Sequence, residues 1–184
     1  PCQSSAASDV YKRQVKILFF HGGGFFVGNF KIYRSYASFL AEILGREIIF
    51  VEYKLSPESR YPSQLEDAKK AYSFLLGKKE KSNIVLAGDS AGGNLALALL
   101  LALKKDKSKK PKGIFCISPW VYPTATMAEY PDSSCQSDVL IGPFIKRAKE
   151  TGSGPLSYLY CNLSDHKNPF SSPLFGDLKN SPPI

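Results

Sequence analysis

The chain reads as an α/β protein with a mostly parallel sheet and helices on both faces. Three observations predict this. Short apolar runs alternate with longer segments of helical periodicity. Two of the strand-like runs end in glycine-rich turns, at His21-Gly22-Gly23-Gly24 and at Gly88-Asp89-Ser90-Ala91-Gly92. The length, 184 residues with 43% hydrophobic, suits one globular domain.

The elements follow in order. Residues 15–20 (VKILFF) form an apolar run of the buried-strand type, stopped by His21 and three glycines. A helix is expected over about 33–44 and a strand over 47–53. The next helix spans about 63–76, where Leu65, Ala68, Tyr72 and Leu75 recur at helical spacing and put one face on the sheet. Pro62 suits its first turn. A strand over 83–87 leads into a helix over about 91–104. Residues 95–103 are apolar all round, which marks a buried helix. That run is far short of the roughly 20 residues a membrane span needs. A strand over 113–118 closes the alternation. Residues 121–170 are rich in Pro, Ser and Tyr and hold one helix candidate, 143–149.

The chemistry concentrates at the two glycine turns. Gly88-Asp89-Ser90-Ala91-Gly92 is G-x-S-x-G between a strand and a helix, the context a nucleophile elbow requires. Gly88 and Gly92 flank Ser90 because a tight turn leaves no room for side chains. Ser90 is the expected nucleophile, and its hydroxyl needs a base to take its proton. The Ala91 N–H lies at a helix start, where donors are free and the dipole favours negative charge. The turn at Gly22-Gly23-Gly24 supplies further backbone N–H groups to hold an oxyanion. Either motif alone reads equally as an ordinary turn. The pair, each after a β-rich run, carries the argument. Asp89 adjoins the nucleophile and so is a supporting residue; a triad acid must reach a histidine.

Three blocks resemble the hormone-sensitive-lipase-like group of α/β-hydrolase esterases. They are Leu18-Phe19-Phe20-His21-Gly22-Gly23-Gly24-Phe25 with Gly28; Val51-Glu52-Tyr53-Lys54-Leu55-Ser56-Pro57-Glu58 with Tyr61-Pro62 and Leu65-Glu66-Asp67-Ala68; and Ala87-Gly88-Asp89-Ser90-Ala91-Gly92-Gly93-Asn94-Leu95-Ala96. A weaker likeness runs through Ile117-Ser118-Pro119-Trp120, Ser172-Pro173-Leu174-Phe175 and Pro182-Pro183. The chain departs after Gly28, where members often carry a hydroxyl residue and then histidine; Ile32 and Tyr33 stand here.

The resemblance implies an α/β-hydrolase fold with residues 121–170 as part of a cap over the site. It gives the oxyanion donors to Gly23 and Gly24 beside Ala91. It makes His21 a brace of that loop, with Gly22, Gly88 and Gly92 in supporting places. Glu58 and Asp67 look like loop-bracing carboxylates. Phe25 and Phe26 line an acyl pocket or pack the core, two readings of equal weight. His166 matches no triad position. The triad order is serine, acid, histidine, and the resemblance puts the last two beyond Ile184 and further strands before Val15. The chain is therefore expected to be a catalytic domain truncated at both ends, with little turnover by itself. Residues 1–14, polar and without periodicity, read as a non-native or disordered arm.

Composition narrows the partners. The net charge is +8, and much of it lies in residues 104–112, a solvated helix end and loop. No aromatic interleaving or motif accompanies it, so no nucleic acid is expected. Cys2, Cys116, Cys135 and Cys161 have neither metal-like spacing nor a disulfide framework. No metal or cofactor is expected, and the compartment is expected to be reducing and cytoplasmic. The expected function is a carboxylic ester hydrolase acting on short acyl esters, small molecules, through an acyl-serine intermediate. The alternative is a non-catalytic small-molecule-binding protein on the same fold, like gibberellin receptors, in which the triad histidine is replaced.

Overall fold

Strands β1 (Val15–Phe20), β2 (Glu47–Val51), β3 (Asn83–Asp89) and β4 (Gly113–Ile117) make one sheet in the order β2-β1-β3-β4. Every pairing is parallel. Parallel neighbours need long crossovers, and three helices supply them: α1 (Phe30–Leu44), α2 (Ser63–Gly77) and α3 (Ala91–Lys105). This computed structural model describes residues 15–77, 83–123, 132–139, 142–151 and 157–184. The expected arm, 1–14, lies outside them, as does part of the expected cap insertion.

Strand residues alternate between the two faces with period 2. Ile17, Phe19 and Ala87 pack with Ile48, Phe50 and Val85 under Tyr33, Tyr36 and Leu40 of α1. Leu18, Phe20, Val51, Ile84, Leu86 and Ile114 form the opposite layer with α2 and α3. Helices therefore cover both faces, as the alternation in the sequence predicts. Leu65, Ala68, Tyr72 and Leu75 are all buried in that second layer. Every residue of α3 from Ala91 to Leu103 is buried. Each fully buried leucine there contributes about 1.5–3 kcal/mol.

Some boundaries move, for visible reasons. Helix α1 begins at Phe30, three residues before the expected start, because Asn29 Oδ1 accepts the Ile32 N–H (3.0 Å) and Glu52 Oε1 accepts the Phe30 N–H (3.0 Å). It ends at Gly45, whose left-handed conformation returns its N–H to Ala41 and Glu42 carbonyls. Strand β2 stops at Val51 rather than residue 53, since its β1 partner ends at Phe20. Strand β3 runs two residues longer than expected because β4 still offers Cys116 and Ile117 opposite Gly88 and Asp89. Pro62 sits just ahead of α2 and its carbonyl accepts the Glu66 N–H at 3.0 Å.

Short helices α4 (Asp132–Ser137), α5 (Gly142–Thr151) and α6 (Ser157–Tyr160) follow β4. Helix α5 contains the expected helix at 143–149. Two 3-10 turns, Leu163–Asp165 and Pro173–Phe175, lie in the last stretch. The basic run does more than meet solvent: Lys104 Nζ donates to the Asp177 and Lys179 carbonyls (2.5 and 2.7 Å) and Lys110 Nζ to that of Asn180 (3.1 Å). Among the described residues no helix is long and apolar enough to cross a membrane, and no group of acidic, His or Cys side chains could hold a metal ion.

The strand order reverses between β1 and β3. The connection after β1 leads outward to β2 and that after β3 leads outward to β4 on the other side. In open α/β sheets a crevice opens beyond the carboxyl ends of strands at such a switch point. Both glycine turns sit at those two ends.

Candidate active site

The turn after β3 is one residue long. Strand β3 ends at Asp89, α3 begins at Ala91, and Ser90 between them has φ 50° and ψ −117°. A non-glycine residue held there stores about 1–3 kcal/mol of strain. The flanking glycines are required by backbone contact. A Cβ on Gly88 would lie 2.4 Å from the Gly92 carbonyl carbon, and one on Gly92 would lie 2.0 Å from the Phe20 oxygen. The loop after β4 fixes the strained residue: Ser90 N–H donates to Ile117 O (2.9 Å), and Trp120 N–H donates to Ser90 O (2.9 Å). Ser90 precedes the helix without capping it by its side chain, and it is half-buried.

The neighbouring turn begins where β1 ends, and Phe20 pairs with Gly88 in the last register position. His21 is buried and stacks on Tyr53 (4.3 Å between centroids, 10° between planes). Its Nδ1–H donates to the Gly22 carbonyl oxygen at 2.7 Å, and the Tyr53 hydroxyl donates to the His21 carbonyl oxygen at 2.5 Å. Burial pushes the His21 pKa down, opposed by the Gly22 carbonyl and by the Asp89 and Glu52 charges. The neutral, doubly engaged imidazole braces the loop. Gly28 must pass close to it, for a Cβ there would lie 2.2 Å from Nδ1.

Gly23 and Gly24 have φ of 109° and 64°. The Gly23 oxygen accepts the N–H groups of Phe26 and Val27, both at 3.0 Å. Among the described residues the N–H groups of Gly23, Gly24 and Ala91 donate to nothing. The Gly22 N–H, by contrast, is committed: it donates to Asp89 Oδ1 (2.9 Å) and reaches the Tyr33 hydroxyl (3.0 Å). Asp89 is committed as well, because its Oδ2 accepts the Tyr33 O–H at 2.8 Å. The loop after β1 and the turn after β3 are thus joined by one carboxylate. Two of the free donors, on Gly23 and Gly24, lie beyond the end of β1; the third, on Ala91, adjoins Ser90 beyond the end of β3.

Phe25 is fully buried and stacks on Tyr160 (4.2 Å, 6°), so core packing describes it and an open pocket wall does not. Phe26 is half-buried; its ring and that of Trp120 lie 3.4 and 3.9 Å from where a Gly24 Cβ would stand. Asp67 holds the segment that follows β2, accepting the Lys54 N–H (3.2 Å) and pairing with the Lys54 and Lys70 ammonium groups (3.5 and 3.6 Å). Glu58 is exposed. His166 is half-buried just after the turn Leu163–Asp165. The Cys116 and Cys161 thiols are pushed up to about 11 by burial, which keeps them unreactive.

Several contributors were given no role by the motif reading. Tyr33 and Tyr53 reach the site from α1 and from beyond β2. Asn94, inside the third block, donates from Nδ2 to the Trp120 and Ser171 carbonyls at 2.9 and 3.0 Å. The sequence signal for Tyr33 was its departure from the family pattern.

A family model described as alpha/beta hydrolase fold matches residues 17–184. An acetyl-hydrolase of Streptomyces hygroscopicus is 32% identical over 169 residues, covering 91% of this chain and 54% of that protein. An esterase of Acinetobacter venetianus is 35% identical over 169 residues, covering 91% and 53%. The solved structure of an esterase from the bacterial hormone-sensitive lipase family superposes with a TM-score of 0.78 at 29% identity, covering 93% of this chain and 55% of that one. The chain thus spans about half the length of the curated relatives it matches.

Proposed function

The chain belongs to the hormone-sensitive-lipase-like esterases of the α/β-hydrolase fold, and from that premise we propose that the complete protein hydrolyses short-chain carboxylic esters through an acyl-enzyme on Ser90. One observation carries the reading: a strained, uncapped serine stands beside a glycine loop whose Gly23 and Gly24 N–H groups donate to nothing among the described residues. Donors pre-aimed at the developing oxyanion need no reorganisation during reaction.

In this reading a base takes the Ser90 hydroxyl proton as its Oγ attacks the ester carbonyl carbon. The carbonyl oxygen takes up the negative charge and is held by Gly23, Gly24 and Ala91. Collapse breaks the ester C–O bond, passes that proton from the base to the departing alcohol and leaves acyl-Ser90. Water then gives a proton to the same base as it attacks the acyl carbon, and breakage of the bond to Oγ releases the acid and returns the proton to Ser90. His21 does not serve as base, since its ring is buried and spent on the loop. His166 is not assigned the role either. The base and its acid partner come from parts of the complete protein outside these residues. The rings of Phe26 and Trp120 beside Gly24 support a short acyl chain.

The test expresses the complete reading frame and assays p-nitrophenyl acetate and butyrate. Wild type turns over, and Ser90→Ala falls to background. Turnover surviving in Ser90→Ala ends the proposal. Saturable ester binding without turnover in the wild type replaces it with the ligand-binding alternative.

A further inference from the structure

Beyond Phe20 and Gly88 the strands β1 and β3 no longer pair. What sets the oxyanion loop against the nucleophile turn from there on is a cluster of three groups. The Gly22 N–H donates to Asp89 Oδ1, the Tyr33 O–H donates to Asp89 Oδ2, and the Tyr33 oxygen lies 3.0 Å from the Gly22 nitrogen. Space is tight: a Cβ on Gly22 would lie 2.3 Å from Asp89 Oδ2. Tyr33 arrives from α1, on the sheet face opposite α3. Its ring is aimed by neighbours on several elements, with centroids 5.6 Å from His21, 5.8 Å from Phe50, and 6.2 Å from both Phe19 and Tyr36.

We infer that Tyr33 is a positioning residue for ester hydrolysis: through Asp89 it locks the Gly22 backbone, and so sets the Gly23 and Gly24 donors relative to Ser90. The inference rests on the function proposed above. Burial and the Asp89 charge push the Tyr33 pKa up to about 12, so the hydroxyl stays a donor over the working range. Without it, Asp89 Oδ2 loses its partner in a half-buried place, where an unmet acceptor is costly. The carboxylate turns, and the Gly22 N–H loses a fixed acceptor. Donors that shift by a fraction of an ångström bind the ester about as well but bind its transition state worse. The signature is a fall in kcat with little change in KM.

The experiment uses the complete protein and the variants Tyr33→Phe, Asp89→Asn and the double change. Phenylalanine keeps the ring contacts and removes only the hydroxyl. In Tyr33→Phe, kcat for p-nitrophenyl butyrate is expected to fall about 10- to 100-fold, less than the 100- to 1,000-fold of losing a donor outright. KM should stay within about twofold. The double variant should be little worse than Asp89→Asn, because Tyr33 acts through that carboxylate. Unchanged kcat, a rise in KM alone, or additive losses overturn the inference. A second readout does not need turnover: hydrogen exchange at the Gly22 amide should speed up in Tyr33→Phe while the amides of α3 keep their protection. If the wild type is inactive, the proposed function fails, and this exchange result still decides whether Tyr33 orders the loop. If Tyr33→Phe does not fold, Asp89→Asn carries both readouts, and a Gly22 amide as protected as in wild type overturns the inference.

Discussion

Two glycine turns stand side by side at the ends of β1 and β3, and they are held by different means. The turn at Ser90 is held by main chain. Its glycines are excluded from bearing side chains by backbone atoms of Gly92 and Phe20, and its strained residue is pinned by the Ile117 oxygen and the Trp120 nitrogen. The loop at His21–Gly24 is held largely by side chains: Asp89, Tyr33, Tyr53 and the His21 ring itself. A turn made of backbone contacts is rigid and all-or-none. A loop tied by side chains can be loosened one contact at a time. Placement of Ser90 is therefore fixed by close packing, and placement of the Gly23 and Gly24 N–H groups is adjustable by residues remote from them in sequence.

That contrast can be broken at several points. The largest effect should come from Gly92→Ala, whose Cβ meets the Phe20 oxygen at 2.0 Å. With backbone on both sides it should destabilise by about 3 kcal/mol or more, read as a drop in the denaturant midpoint of the complete protein. A loss under about 1 kcal/mol would mean the turn is softer than argued. Tyr53→Phe comes next. It removes one hydrogen bond to the His21 carbonyl and leaves that buried oxygen poorer by a donor, a cost of about 1–3 kcal/mol. Chemical unfolding measures it, and amide exchange should place the loosening in the loop after β1 and not in α3.

The third effect is a pH dependence. Burial lowers the His21 pKa in the folded chain, while the unfolded chain protonates near 6.5. Stability from the neutral ring is therefore full above pH 6.5 and is lost as pH falls below it toward the folded value. The slope is at most about 1.4 kcal/mol per pH unit. Thermal melts at pH 7.5 and 5.5 should show the loss in the wild type and a smaller one in His21→Gln; equal losses would remove His21 as the cause. The smallest effect has the opposite sign. Ser90→Gly should relieve the φ of 50° and stabilise the fold by about 0.5–1 kcal/mol while abolishing turnover. A destabilised Ser90→Gly would show that the turn carries no strain.

Much of the fold follows from local pattern. The run 15–20, the helical spacing of Leu65, Ala68, Tyr72 and Leu75, and the all-apolar stretch 95–103 each specify their element, because periodicity reports which face is buried regardless of what covers it. Ser90 between Gly88 and Gly92 is legible for the same reason, since both glycines answer a constraint spanning only a few residues. The family blocks extend this to His21, Gly23 and Gly24.

Other features were decided only when distant segments met. Helix α1 starts at Phe30 because Glu52, from beyond β2, accepts its first N–H. Strand β2 ends at Val51 because β1 turns away. Phe25 became a core ring because Tyr160, far along the chain, stacks on it. Tyr33 reads in sequence as a departure from a family pattern, and only the packing of α1 against the sheet brings its hydroxyl to Asp89. By itself the sequence determined the alternation of elements, the turn that presents Ser90 and the glycines beside it, all set by neighbours within a few residues. The tertiary structure alone decided the reversal of strand order between β1 and β3 and the side-chain ties across that crevice. Those depend on contacts between residues tens of positions apart, which no local pattern encodes.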